Sequence, residues 1–197
     1  EGIERKMIVE FSVYDTNAYS IEHLNDSLEN IDLIKNFTVG NDAEGLECYL
    51  KNQAESDEKG CMARTYLIKD KETKELAGYF SLRTGLITVQ YDEENFDTIP
   101  AIELSNFAVN KAFRENHPEV RFMGAFIFRT FIRPLAECMA KYIGVNSLYI
   151  YALPEEKLIE HYKTLGFSRL PPEQEKFVYN HVKPKYDADC IFMYQTL

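Results

Sequence analysis

The chain has 197 residues, with 32 Asp and Glu against 22 Lys and Arg and a formal net charge of −10. At this length one compact unit, residues 1–197, is the default, and about 70% of the unfolded chain's surface can be buried. No run of roughly 18 apolar residues occurs, and Glu1-Gly2-Ile3-Glu4-Arg5 lacks a basic-then-apolar signal pattern, so a cytoplasmic location is expected and membrane insertion or secretion is not.

Two amphipathic helices are predicted first, about Ser20–Phe37 and Gly45–Glu58, the second with Leu46, Tyr49, Leu50 and Ala54 at helical spacing. A hairpin comes next, in which Ala63–Lys69 and Leu76–Arg83 flank the charged turn Asp70–Glu75. Asp92–Pro100 reads as an acidic loop and Ala101–Val109 as a strand, after which strand and helix alternate. The helix Gly124–Ile143 places Phe128, Phe131, Leu135, Met139 and Tyr142 at three- and four-residue steps; Pro134 within it predicts a kink near Thr130–Pro134. Gly144 is expected to stop that helix, and Ser147–Ala152 reads as a strand. Glu155–Leu165 is predicted as a helix with Leu158, Ile159, Tyr162 and Leu165 on one face and Gly166 as its stop. Cys190–Tyr194 is a final aromatic strand.

The charge is unevenly spread. Residues 1–60 hold 14 acids and 5 bases, which leaves 18 acids and 17 bases for the rest. The stretch 110–141 is locally basic, with Lys111, Arg114, Arg121, Arg129, Arg133 and Lys141 against three glutamates, so an anion site is expected there. The four cysteines, Cys48, Cys61, Cys138 and Cys190, form no CxxC and have no adjacent histidine; free thiols are expected, and no metal site.

The segment Leu104–Ile143 carries the most chemistry. A strand ending Phe107-Ala108-Val109 leads through Lys111-Ala112-Phe113-Arg114 to Arg121-Phe122-Met123-Gly124-Ala125, which opens the long helix. Glycine where a loop becomes a helix lets backbone N–H groups approach a ligand, and the helix dipole favours an anion there, a combination that suits a pyrophosphate. This segment resembles the GCN5-related N-acetyltransferase family. Phe107–Arg114 looks like the family's fourth strand, whose open backbone pairs with the pantetheine arm of acetyl-CoA. Arg121-x-x-Gly124-x looks like its pyrophosphate loop, with Phe126 in place of the usual last small residue and Phe122 where glycine is common. Ala140–Gly144 with Leu148-Tyr149-Ile150 resembles the family's helix end and fifth strand, and His161-Tyr162-Lys163-Thr164-Leu165-Gly166-Phe167 its Tyr-x-x-x-Gly-Phe signature. A softer resemblance, through Phe37-x-x-Gly40-Asn41, Leu46-Glu47-x-Tyr49-Leu50, Arg64–Leu67 and Gly78–Leu82, is to the subgroup that contains tRNA-acetylating toxins.

The resemblance implies an α/β (α+β) fold with a mixed, mostly antiparallel sheet splayed between strands 4 and 5 and about four helices. It implies acetyl-CoA as cosubstrate, held by Phe107, Ala108, Val109, Arg114, Arg121, Phe122, Met123, Gly124, Ala125 and Phe126, and no metal. Tyr162 would protonate the departing thiolate, since a CoA thiolate is basic and a phenol held close can supply its proton. Glu103, on the strand entering the site, is the candidate base, against the simpler reading of a solvated or salt-bridged strand residue. His161 is expected to point off the apolar face. The acceptor is an amine of unidentified kind. The charge of −10 argues against aminoacyl-tRNA without excluding it, and a non-catalytic acyl-CoA-binding module is the alternative from another class. Pairing of the C-terminal strand across a dimer edge is also open.

Overall fold

Alternation, not helical spacing, decides the first element. In the computed structural model, which describes residues 14–40, 43–92, 95–181 and 189–197, Tyr19–His23 is a strand, β1. Tyr19 and Ile21 pack on the main core while Glu22, on the opposite face, pairs with Lys69 of the next strand. Only Leu28–Leu33 (α1), capped by Ser27, is α-helical in the span predicted as one helix, with a 3-10 turn on either side. The second predicted helix is broken at Gln53 into α2 (Glu44–Asn52) and α3 (Ala54–Lys59).

The hairpin strands are β2 (Arg64–Asp70) and β3 (Leu76–Gln90). β3 runs seven residues beyond its predicted end because it pairs from Gly78 to Gln90 with β4 (Phe96–Val109), which takes up most of the expected acidic loop. Beyond β4 the chain forms α4 (Lys111–Asn116), α5 (Met123–Ile127), α6 (Arg133–Tyr142), β5 (Ser147–Ala152), α7 (Glu156–Thr164), α8 (Pro172–His181) and β6 (Ile191–Thr196). The kink expected at Pro134 is a π turn over Phe128–Ile132: Arg133 N–H bonds back to the Phe128 carbonyl, five residues away, which absorbs the N–H that proline lacks. Met123–Tyr142 is thus one continuous helical run. Gly166 stops α7 with φ +95°, whereas α6 ends on an extended Ile143 and Gly144 has no left-handed role.

All six strands form one sheet in the order β1-β2-β3-β4-β5-β6, antiparallel throughout except for β4 and β5. That parallel pair covers only Ala101–Glu103 against Ser147–Tyr149, and beyond it the strands part. One residue, Ser105, is inserted as a bulge where β4 enters its unpaired half, since Ser81 faces Asn106 while Leu82 faces Leu104.

One sheet face packs Phe80, Leu82, Ile102, Leu104, Leu148 and Ile150 against α5, α6 and α7. The other face carries two separate clusters, one with Leu67 and Tyr79 beneath α1–α3 and one with Ile87, Tyr149 and Phe192 beside Val178 of α8. Both outer strands are capped from within the chain. On β1 the N–H groups of Tyr19, Ile21 and His23 donate to the Thr16, Asp15 and Asp26 side chains, and Asn30 donates to the His23 carbonyl. On β6, Tyr194 exchanges two backbone bonds with Ser168, and Phe192 N–H donates to the Tyr179 hydroxyl. The ladder positions at Phe192 and Tyr194, through which a second copy would pair, are therefore filled internally.

Candidate active site

The parting of β4 from β5 leaves the β5-facing edge of Leu104–Val109 without a strand partner. Helix α5 opens onto this half of β4: a Cβ built on Gly124 would meet Val109 Cγ2 at 3.7 Å and Phe107 Cζ at 3.9 Å. The structure thus brings Phe107, Val109 and Gly124 together, while Ala108 points to the opposite face, into the cluster under α1–α3. Phe122, the N-cap of α5, is left-handed (φ 59°, ψ 30°) and supplies no side-chain cap. A left-handed residue is what glycine accommodates best, which is the physical content of a glycine being common there. By contrast, the caps Ser27 and Asn110 are extended and accept N–H groups through their side chains. Among the described residues no side chain therefore caps the first N–H groups of α5.

Arg114 and Arg121 are exposed, and among the described residues neither has an ion-pair partner. Met123 is buried and Ala125 half-buried within α5. Phe126, the bulky departure from the motif, turns toward β1, its ring 5.3 Å from Tyr19 and 5.9 Å from Phe131. Arg129 is committed elsewhere, donating to the Thr164 carbonyl at the end of α7, and Arg133 pairs with Glu137 at 2.7 Å. These features fit a pyrophosphate-bearing cosubstrate: an open strand edge, uncapped helix amides and two uncommitted guanidiniums.

Tyr162 lies on the inner face of α7, 8% exposed, in the same cluster as Leu104 and Ile150, which lie just past the last β4–β5 rung. Burial pushes its phenol up to about 12, so it holds its proton throughout the neutral range. Among the described residues its hydroxyl has no hydrogen-bond partner, and Phe167 packs edge-on at 5.5 Å. His161 does not point away from the fold: its Nε2 is 3.9 Å from the Cβ position of Gly124, and burial, then Arg129, lower its pKa.

Glu103 is buried on the opposite sheet face from Tyr162. Arg83 grips its carboxylate with Nε at 3.0 Å and Nη2 at 2.8 Å, and the Tyr149 hydroxyl donates to it at 2.8 Å. Burial, then the Glu103 charge, pushes the Tyr149 phenol far above its ordinary value. Three participants carry no signal of their role in the sequence. Asn110 closes the end of β4, its carbonyl oxygen accepting from Thr38 and Ala112 and its amide donating to Leu76. Arg83 and Tyr149 stand out in the sequence only as strand residues, since their partnership spans 20 and 46 positions from Glu103. Among the described residues no cluster of three or more His, Cys, Asp or Glu could hold a metal, and no helix is long and apolar enough to cross a membrane.

A mixed sheet splayed between its fourth and fifth strands, with a helix opening at the split, is the fold of the GCN5-related N-acetyltransferases. The solved structures it resembles include two toxins of that fold. A tyrosine-to-phenylalanine mutant of AtaT, bound to the C-terminus of the antitoxin AtaR and acetyl-CoA, matches 91% of this chain and 94% of its own at 18% identity and a TM-score of 0.63. A tyrosine-to-phenylalanine mutant of KacT matches 91% and 95% at 19% identity and a TM-score of 0.62. AtaT complexed with acetyl-methionyl-tRNAfMet matches 88% and 93% at 18% identity and a TM-score of 0.62. No known family profile matches the sequence.

Proposed function

We propose that the protein is an acetyl-CoA-dependent N-acetyltransferase that acts by direct attack of an acceptor amine on the thioester. The observation that carries this reading is the coincidence, at one split in the sheet, of an unpaired strand edge, uncapped helix amides and a buried protonated phenol. Acetyl-CoA would lie along Phe107–Val109 with its pyrophosphate against Phe122–Phe126, Arg121 and Arg114, and it supplies the activated acyl group. Backbone N–H groups of the open β4 edge would steady the acyl oxygen as charge develops on it. Tyr162 would donate its proton to the sulfur as the carbon–sulfur bond breaks, a general-acid contribution of roughly 10²–10⁴-fold.

Glu103 suits a positioning role better than that of a base, because both carboxylate oxygens already accept hydrogen bonds. The acceptor's own pKa then governs reactivity. At pH 7 roughly one in ten α-amines is neutral against about one in 2,500 lysine side chains, an advantage of about 250-fold. This favours an α-amine acceptor, and the likeness to AtaT complexed with acetyl-methionyl-tRNAfMet makes aminoacyl-tRNA the second reading to test.

The deciding assay is thioester consumption with a panel of amines, comparing the parent with Tyr162→Phe. Turnover at least 100-fold lower in the variant supports the mechanism, equal turnover removes Tyr162 from it, and no turnover with any amine favours a non-catalytic acyl-CoA-binding module. Binding of aminoacyl-tRNA across a salt series tests the second reading, which fails if no affinity is seen at low salt.

A further inference from the structure

His161 stands at the opening of α5 and takes no part in the acyl transfer itself. A Cβ built on Gly124 would meet its Nε2 at 3.9 Å, Val109 Cγ2 at 3.7 Å and Phe107 Cζ at 3.9 Å, so the imidazole tip, reaching over from α7, closes on the same point as the open half of β4. The side chains that face it from β4 carry no charge. From the helical run that α5 begins, Arg129 acts on it, and this charge together with partial burial keeps the ring neutral near pH 7. On α7 itself Lys157, one turn back, is exposed, Glu160 is held by Lys163 at 2.6 Å, and the Tyr162 ring, 6.1 Å away, keeps its proton. His161 also lies in the last turn of α7, where helix carbonyls favour a cation, so the protonated ring has a seat once a counter-charge arrives.

We infer that His161 is a binding residue for the diphosphate of the cosubstrate and takes up a proton from solvent as the diphosphate docks. The inference rests on the acyltransferase reading, in which the diphosphate lies against Phe122–Phe126 and so within reach of a ring that closes on Gly124. Before binding, the charge beside the ring is positive and opposes protonation. The diphosphate reverses its sign: an opposite charge within roughly 4–6 Å strengthens a base's hold on its proton by about 10–1,000-fold. By linkage, the protonated ring tightens the complex by the same factor. Acyl-CoA affinity therefore rises as pH falls through the neutral range, and levels off where the imidazole of the free protein is itself protonated.

The test uses dephospho-CoA, because the 3′-phosphate of CoA titrates at about pH 6 on its own account and the diphosphate does not. Calorimetry of the full chain at pH 6.5, in two phosphate-free buffers of different ionisation enthalpy, reads the protons exchanged on binding. The parent is expected to take up about 0.3–0.8 of a proton per molecule bound, and its affinity to fall about tenfold or more from pH 5.5 to pH 8.5. His161→Gln should take up none and keep the weak affinity throughout. His161→Lys, charged at every pH used, should also take up none but bind more tightly than the parent at pH 8.5. Binding by the parent without proton uptake, or with an uptake that survives in His161→Gln, overturns the inference and leaves the acyltransferase reading intact. Should the variants fail to fold, proton NMR of the parent decides: the assigned His161 signal, one of four histidines, must titrate at a higher pH once dephospho-CoA is bound, and an unmoved midpoint counts against the contact. A parent that binds acetyl-CoA but not dephospho-CoA is anchored by the 3′-phosphate, which also overturns it. A parent that binds neither removes the acyltransferase reading, and the inference with it.

Discussion

Replacing Gly85 by alanine tests the seating of the Tyr149 ring on β3 most directly. The backbone tolerates the change, since Gly85 has no positive φ, but the new Cβ would stand 2.2 Å from the Tyr149 hydroxyl. Backbone shifts that relieve such overpacking cost about 1–3 kcal/mol. If the phenol is displaced, its bond to the buried Glu103 carboxylate is lost, about 1.5–3 kcal/mol more. Reduced freedom of the unfolded chain returns about 0.4–1 kcal/mol. The net is a loss of about 2–5 kcal/mol, or a fall in Tm of about 5–15 °C for a chain of this length. Urea unfolding followed by circular dichroism reads it. The same substitution in a Tyr149→Val background should cost less than about 1 kcal/mol, because the clashing ring is gone. A Gly85→Ala variant as stable as the parent, or an equal cost in both backgrounds, would refute the placement of the ring.

Burial pushes Tyr66 and Tyr162 up to about 12 and raises Tyr79, Tyr149 and Tyr151 as well. Because the folded values exceed the unfolded value near 10, the stability they contribute is complete below about pH 10 and lost as pH rises beyond it. Ultraviolet titration should therefore show exposed tyrosines ionising first and these five only as the fold opens; a single reversible step near pH 10 for all 13 would contradict this. His117 donates its Nε2–H to the Glu75 carboxylate, with Glu119 at 3.5 Å from its Nδ1, and the Glu75 bond raises its pKa. Its contribution is complete below about pH 6.5 and lost as pH rises through the folded value. The stability gap between the parent and His117→Gln should narrow from pH 6 to pH 9, and a gap that widens would argue against the pairing. Glu103→Leu leaves the half-buried Arg83 charge without its partner and the Tyr149 hydroxyl without its acceptor, and should cost about 1.5–3 kcal/mol in urea unfolding; a neutral result would deny that these bonds are held.

The parts of the fold that local spacing controls were legible in the sequence. Tyr162, Gly166 and Phe167 sit as the helical period and the glycine stop foretold, and β5 runs over its predicted span. β1 was hidden because Ile21, Leu24 and Leu28 also fit a helical step, and only pairing with β2 settles the competition. The outer arm of β3 and β4 was hidden because its burial comes from α8, as where Gln174 bonds both backbone groups of Gln90 across 84 positions. At the candidate site, the turn from loop into α5 was legible from Gly124, which the structure sets against Val109 and Phe107. The Arg83, Glu103 and Tyr149 network was not, since a carboxylate's availability depends on partners that only the sheet register brings together.

The capped outer strands bear on how the protein behaves when crowded. An open sheet invites neighbouring chains to extend it, the first step toward insoluble fibres. Here Asp15, Thr16, Asp26 and Asn30 guard one margin and Ser168 and Tyr179 the other. Stripping one margin of those side chains would show itself less in the melting temperature than in turbidity at high concentration.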